Sequence, residues 1–319
     1  MRLRDVLAEE LRKRGIDCIS FRTSKVFKFD PLQFAALMIA NGKANVCRGE
    51  GKYKFNLNSE RVEECNYILD YCESGLISRE ELLERAKNFP YIAIDCRFHH
   101  LHSEKEFKSL MTQIRETLNV VREYMWDERF VISGLKTDTN ATHVEKLEDF
   151  LRGKERIILL DPNAEEVFEG ERADVYVIGG IVDKSGNKKG LTSKIGEEIR
   201  KSGIDFESKK ILLRGNVIGV PDRLNHIAEI VLKVVLDGKS VEEAIKEVQP
   251  KKVAKWRLRI ELPKFVEKVE IKERTFRIVR KSVLKKFDWL NIGEKEFYEI
   301  AAEQGVIVVD DHFRVSDNS

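Results

Sequence analysis

Between residues 91 and 247, five short apolar runs alternate with amphipathic stretches: YIAID (91–95), RFVIS (129–133), RIILL (156–160), DVYVIG (174–179) and KILLRG (210–215). The segments between and after them, roughly 103–124, 142–151, 190–202, 222–236 and 240–247, carry apolar residues at helical spacing. Ser103 with Glu106 and Ser240 with Glu243 form capping boxes at two of their starts. Strands that are apolar on both faces and separated by helices predict a parallel sheet covered on both sides. Residues 90–250 are therefore expected to form one α/β domain.

The flanks read differently. Residues 1–89 show helical spacing at 1–14, at Leu32 to Met38 and at Val62 to Tyr71, with a capping box at Ser78-Arg79-Glu80-Glu81, and are expected to be a small, mostly helical domain. After Pro250, WRLRIEL, FVEKVEI and TFRIVRK alternate like half-exposed strands. A helix near 293–304 and a strand-like GVIVVD follow, so 251–319 is expected to be a small basic α+β domain. A chain of 319 residues suits two or three domains.

Charge narrows the partners. The net charge is only +2, but residues 251–286 hold 14 basic against 4 acidic side chains, and the last 33 residues swing to −6. Such a segment suits phosphate binding, and it equally suits a solvated charged surface. Charged residues reach 35% while glutamine occurs only at 33, 113, 249 and 304, a hyperthermophile-like balance. No apolar run approaches the ~20 residues of a membrane span, and MRLRDVLAEELRKRG is not a secretory signal, so a cytoplasmic protein is expected. The five cysteines are odd in number and form no CxxC pair; structural disulfides are not expected. His99, His100 and His102 near Cys96 lack a second ligand pair at regular spacing, so no metal is expected.

Two glycine-bearing loops end consecutive strands. The first reads VIGGIVDKSGNKKG (177–190) and the second LLRGNVIGV (212–220). Parallel sheets bind ligands at the carboxyl ends of their strands. A dinucleotide loop needs GxGxxG after the first strand, whereas here the glycines are adjacent and follow the fourth; no GxxxxGK followed by Ser or Thr occurs. Leu212, Leu213, Val217 and Ile218 suit an adenine ring better than a pyrophosphate.

VIGGIVDKSG joined to LLRGNVIGV…LNHI resembles the tRNA position-9 purine N1-methyltransferases of the SPOUT superfamily. Asp95-Cys96-Arg97-Phe98 is similar to that family's opening strand motif. Ser109 to Ile114 matches its SLxxQI segment, with Arg122 nine residues past Gln113, and Asn225 stands at the Asn of its Asn-Gln-Val motif. The likeness covers roughly 90–250, and the flanks look like those of the archaeal branch. It departs at His99-His100, where many relatives carry a second acidic residue, and at Asn225-His226-Ile227.

The resemblance implies a trefoil-knotted SPOUT domain that holds S-adenosylmethionine. The implied contacts are Leu160, Gly179, Gly180, Ile181, Val182, Gly190, Leu212, Leu213, Arg214, Gly215, Asn216, Val217 and Asn225. It implies tRNA as the partner, gripped by Gln113, Arg122, Lys188 and Lys189 and by the flanking domains, and a monomer without an obligate protein partner. Asp183 is the implied catalytic residue. On guanine it would take the N1 proton; on adenine it would stabilise the cation that methylation creates. An Asp in a Lys-Ser-Gly loop also serves as a turn cap, and that reading stays beside the catalytic one. A non-catalytic RNA-binding protein of the same fold is the alternative. A nucleotide-dependent enzyme of another class is disfavoured by the missing motifs.

Overall fold

The computed structural model describes residues 1–73, 75–184 and 186–314. By internal contacts the chain divides into two compact units, residues 1–210 with 223–239 and residues 211–222 with 240–319.

The first unit begins with α1 (Leu3–Lys13), β1 (Cys18–Phe21), α2 (Pro31–Ala40), β2 (Asn45–Arg48), β3 (Tyr53–Asn56), β4 (Tyr67–Asp70) and α3 (Arg79–Arg85). Asp30 caps α2 through the Gln33 amide, with Pro31 in the first turn, where its missing N–H costs nothing. A four-stranded sheet, ordered β2-β4-β1-β3, joins the expected helices. The segment expected as a helix at 62–71 ends in β4 instead. Four of the five cysteines contradict the sequence expectation by pairing, Cys18 with Cys65 and Cys47 with Cys72. Partners separated by 47 and 25 residues are brought together by sheet pairing, which spacing alone does not reveal. Cys96 stays a buried free thiol.

The unit continues with β5 (Tyr91–Asp95), α4 (Glu104–Arg122), β6 (Phe130–Ser133), β7 (Thr142–Val144), α5 (Leu147–Leu151), β8 (Ile157–Leu160), β9 (Glu166–Val167), β10 (Val175–Gly179), α6 (Leu191–Lys201), β11 (Glu207–Lys210) and α7 (Leu224–Asp237). Its seven strands are ordered β7-β6-β5-β10-β8-β11-β9 and every pairing is parallel. β6, β8 and β10 are buried along their whole length, as the apolar runs predict. On one face Ala93, Val131, Leu159 and Val177 pack with Leu147 and Leu151 of α5 and Ile195 and Ile199 of α6. Each buried Val, Leu or Ile among them contributes roughly 1.5–3 kcal/mol. α4 and α7 pack together, and α7 also touches β10.

Two sequence assignments shift in this sheet. The helix expected over 142–151 is a strand followed by the single turn of α5. The last core strand is ESKK (207–210), not 210–215, because Lys209 is buried with its ammonium bonded to Glu171 (2.7 Å) and Glu166 (3.1 Å), so a charged sequence fits in the sheet. The bond to Glu171, with those to the other carboxylates and against burial, which lowers it, holds the Lys209 pKa well above the usual lysine range.

The second unit holds the 211–222 loop, α8 (Val241–Val248), α9 (Lys251–Glu261), β12 (Glu267–Ile271), β13 (Arg274–Arg280), α10 (Glu294–Glu303) and β14 (Ile307–Val309). WRLRIEL, expected as a strand, lies in α9: Ala254, Arg257, Leu258 and Leu262 fall on one helical stripe and are buried, while Trp256 and Ile260, also on the alternating pattern, are exposed. β12, β13 and β14 form the expected small sheet.

Candidate cofactor and catalytic site

In the first unit the site is built where β10 ends. Gly179 pairs with Asp95, and the next amide, Gly180 N–H, donates to the Asp95 carbonyl at 2.7 Å. A Cβ at Gly180 would stand 2.7 Å from Cys96 Sγ, 2.9 Å from the Asp95 carbonyl oxygen and 3.0 Å from Ile94 Cγ2. The chain leaving β10 thus crosses the end of β5 at backbone contact, which only glycine permits. Gly179 lies against Thr192 of α6. The Asp95 carboxylate is buried and held by the Arg97 amide and guanidinium, and Arg97 also bonds Glu148.

The loop beyond is anchored from α4 and the turn before it. Val182 N–H donates to His102 Nε2 at 2.8 Å, while His102 Nδ1 lies 3.0 Å from the His99 carbonyl. One ring nitrogen accepts and the other faces an acceptor, so His102 is the neutral Nδ1–H tautomer. Glu106 does double duty. It closes the capping box at Ser103, and it accepts the Lys184 amide (3.0 Å) and the Lys188 ammonium (3.0 Å to each oxygen). These donors, the Lys184 amide first, hold its carboxyl well below the usual glutamate range.

Asp183 is exposed, and its two oxygens accept the amides of Gly186 (2.7 Å) and Lys188 (2.9 Å). The turn-capping reading is therefore real, and it also fixes where the carboxylate stands. Ser185, inside the motif, lies outside the described residues. The loop closes at Gly190, whose left-handed φ of 78° opens α6 with nothing within 4 Å of a Cβ position. Leu160 ends β8, and the following Asp161 is buried, accepting Ser193 Oγ of α6 at 2.5 Å.

The expected RNA contacts separate. Lys188 is buried on Glu106, so its charge faces inward rather than toward a ligand. Gln113 is buried too: its Oε1 accepts the Leu224 amide opening α7 (3.0 Å) and its Nε2 donates to Ser109. Arg122 makes a two-pronged pair with Asp127, 2.7 Å on each side, and keeps part of its surface on a cleft of ≈ 330 Å³ with Arg115, Asn119 and Asp138. Lys189 is exposed. Asn225 Oδ1 accepts Arg223 Nε at 3.4 Å at the start of α7.

In the second unit Leu213-Arg214-Gly215-Asn216 is a tight turn closed by Leu213 N–H to the Asn216 carbonyl (2.8 Å) and the reverse bond (3.2 Å). Arg214 (φ 48°) and Gly215 (φ 73°) are both left-handed, as a two-residue I′ turn requires. Leu213 is buried and Val217 exposed, and Leu212 is half-buried. Behind the turn, Gln249 Nε2 donates to the Gly219 carbonyl (2.6 Å) and Arg257 Nη1 to that of Ile218 (2.8 Å).

His102, Glu106, Gln249 and Arg257 were missed as site-supporting residues. Glu106 was visible only as a capping residue, and the scarcity of glutamine was the one hint at Gln249. The open space beside Gly190 suits a ligand that lies against backbone.

Comparison with known proteins extends these observations. A family model described as "tRNA (guanine(9)-/adenine(9)-N1)-methyltransferase N domain" matches residues 4–85, and one for "tRNA (guanine(9)-N(1))-methyltransferase TRM10/TRM10A" matches 60–254. The chain is 34% identical over 335 residues to a tRNA (guanine(9)-/adenine(9)-N1)-methyltransferase of Thermococcus kodakarensis, covering 97% of this chain and 90% of that protein. It is 34% identical over 169 residues to a tRNA (adenine(9)-N1)-methyltransferase of Sulfolobus acidocaldarius, covering 51% and 56%. The crystal structure of dual-specific Trm10 from Thermococcus kodakaraensis superposes with a TM-score of 0.63 at 26% identity, covering 76% of this chain and 98% of that one. Sulfolobus acidocaldarius Trm10 in complex with S-adenosylhomocysteine shares the fold at a TM-score of 0.70 and 23% identity, covering 96% and 100%.

Proposed function

The chain belongs to the tRNA (guanine(9)-/adenine(9)-N1)-methyltransferase family, and we infer that it transfers the methyl group of S-adenosylmethionine to N1 of the purine at position 9 of tRNA. Its parallel-sheet part has the α/β SPOUT fold of its structural relatives. The observation that carries the chemistry is the Asp183 carboxylate, exposed and held by two backbone amides, four residues past the first glycine at the end of the central strand β10.

S-adenosylmethionine supplies an electrophilic methyl group on a sulfonium. The first-unit residues proposed to hold it are Leu160, Gly179–Val182, Gly190 and Asn225. Glycine at 180 keeps backbone close, and His102 and Glu106 fix the loop from Val182 to Lys188, so the carboxylate is set before substrate arrives. On guanine, N1 carries a proton at neutral pH. Asp183 would accept that proton as the N1–C bond forms and the methyl–sulfur bond breaks, leaving N1 neutral and the thioether S-adenosylhomocysteine as the departing product. On adenine, N1 already offers a lone pair and becomes cationic when methylated; the same carboxylate then stabilises charge and takes no proton. Either purine must leave its stack, at a cost of a few kcal/mol drawn from backbone contacts. Lys189 and Arg122 are the first-unit residues still presented for that grip. A protein of this family acting in the cytoplasm as a monomer, without an obligate protein partner, is the reading proposed.

Primer extension tests the assignment, because a methyl on N1 blocks pairing and stops the polymerase. A stop at position 9 that requires S-adenosylmethionine is expected. Tight cofactor binding with no stop on any tRNA would favour the non-catalytic alternative.

A further inference from the structure

Half of the fourteen cations of the basic segment 251–286 are ion-paired within their own unit among the described residues. Along α9, Lys251 pairs with Glu296, Lys255 with Glu299 and Arg259 with Glu303, all carboxylates of α10. Arg280 pairs with Glu267 and Lys281 with Glu294. The solvated-surface reading accounts for these cations, and the acidic swing of the last 33 residues is their counterpart.

In one cleft the cations outnumber the carboxylates they share. A cleft of ≈ 280 Å³ is lined by Arg214, Gly215 and Asn216 of the left-handed turn, by Arg257 and Lys264, and by Lys286. Glu261 is the one carboxylate of its lining, and it is shared by Arg257 (2.9 Å) and Lys264 (2.6 Å). Arg214 bonds Glu242 at 3.0 Å and its guanidinium lies 4.6 Å from the ring centre of Trp289. Lys286 is exposed, sits 4.9 Å from the ring centre of Phe265 and has no carboxylate within ion-pair distance among the described residues. Four cations thus face one cleft with two carboxylates between them. Trp289, Phe265 and Phe287 form its apolar floor, which lowers the local dielectric and strengthens attraction to an anion. Arg214 is the non-glycine residue of the turn in a left-handed conformation, a strain that persists where surroundings fix it, here the Trp289 ring and Glu242.

We propose that this cleft binds a backbone phosphate of the tRNA, with Lys286 and Lys264 as its mobile cations and the side chain of Arg214, on the left-handed turn, as its fixed wall. The proposal rests on the tRNA-methyltransferase reading and adds to it a phosphate contact in the second unit. A phosphate displaces little here: Lys286 has no ion-pair partner among the described residues, and Lys264 exchanges an exposed pair worth little for a charge-assisted one. The contact carries no base information, so it acts alike on every tRNA.

The test uses the full-length protein, with Lys286→Ala and the double variant Lys264→Ala/Lys286→Ala. Affinity for a tRNA transcript is measured from about 50 to 300 mM salt, and S-adenosylhomocysteine affinity by calorimetry. Both lysines are exposed, so the fold is retained. Lys286→Ala is expected to weaken tRNA binding on the order of three- to tenfold and to make the salt slope shallower by about one, with the double variant additive and S-adenosylhomocysteine affinity unchanged. Unaltered tRNA affinity and slope overturn the proposal and leave the methyltransferase reading standing. A loss confined to S-adenosylhomocysteine overturns it by assigning the cleft to the cofactor's carboxylate. Failure of the unsubstituted protein to bind tRNA overturns both readings together.

Discussion

Gly180→Ala isolates the crossing on which the site depends. Gly180 is not in the left-handed region, so the effect is steric and not conformational. The new methyl would meet three atoms at 2.7–3.0 Å, and two of them cannot give way cheaply. The Asp95 carbonyl is already bonded to Gly180 N–H at 2.7 Å, and Ile94 is fully buried in β5. Overpacking of this kind costs roughly 1–3 kcal/mol, and backbone involvement places Gly180→Ala at the upper end. At about 2–4 °C per kcal/mol, the melting temperature should fall by about 5–10 °C. Cys96→Ala on top removes the 2.7 Å sulfur contact and should restore part of that loss, a non-additivity that a distant pair would not show. Gly190→Ala is the contrast: no atom lies within 4 Å, so only its left-handed φ is strained, at roughly 1–2 kcal/mol. Thermal denaturation followed by circular dichroism, with S-adenosylhomocysteine calorimetry alongside, reads both. A Gly180→Ala protein melting within a degree of the unsubstituted one, or hurt less than Gly190→Ala, would refute the close crossing.

Glu106 has its folded pKa depressed below the ordinary 4.5, so its contribution is complete above that pH and is lost as pH falls below it toward the folded value. Glu106→Gln should therefore flatten the acid limb of the melting temperature below about pH 4.5; an unchanged limb would remove Glu106 as the loop anchor. Gln249→Ala leaves the Gly219 carbonyl and the Asn291 amide without their buried partner and should cost about 2–3 kcal/mol in urea denaturation, against a negligible change for exposed Lys252→Ala. Reduction should destabilise the protein by several kcal/mol in all, since each of the two disulfides closes a long loop worth about 3–4 kcal/mol. Alkylation under denaturing, non-reducing conditions should label one cysteine of five, and labelling of all five would contradict the pairing.

The sheet was legible because its strands are buried on both faces and so apolar throughout. β5 falls on the residues read from sequence, and β6, β8 and β10 begin one residue later than read. β11 was misplaced because ion pairs carry ESKK into the sheet, and ion pairs across 38–43 residues leave no local signal. The α9 error has a similar source: Trp256, Leu258, Ile260 and Leu262 alternate, yet the buried partner of Leu258 is an arginine, Arg257, that a hydrophobic pattern does not count. The disulfides needed β2 and β4 to be neighbours before Cys47 could meet Cys72. Around the site, the glycines and Asp183 were visible as a motif. That Lys188 and Gln113 turn inward was not, because their partners, Glu106 and the Leu224 amide, lie 82 and 111 residues away.

The central claim is that a carboxylate at 183 serves N1 methylation of the position-9 purine. It is tested by single-turnover methylation of two tRNAs that differ only in carrying G or A at position 9, by the unsubstituted protein and by Asp183→Asn, with product located by primer extension. On the guanine substrate, Asp183→Asn should lose on the order of 10²–10⁴ in rate while retaining S-adenosylhomocysteine affinity, and should lose the rise in rate with pH that proton removal imposes. Equal rates for the two proteins on guanine, or methylation at a position other than 9, would contradict the account.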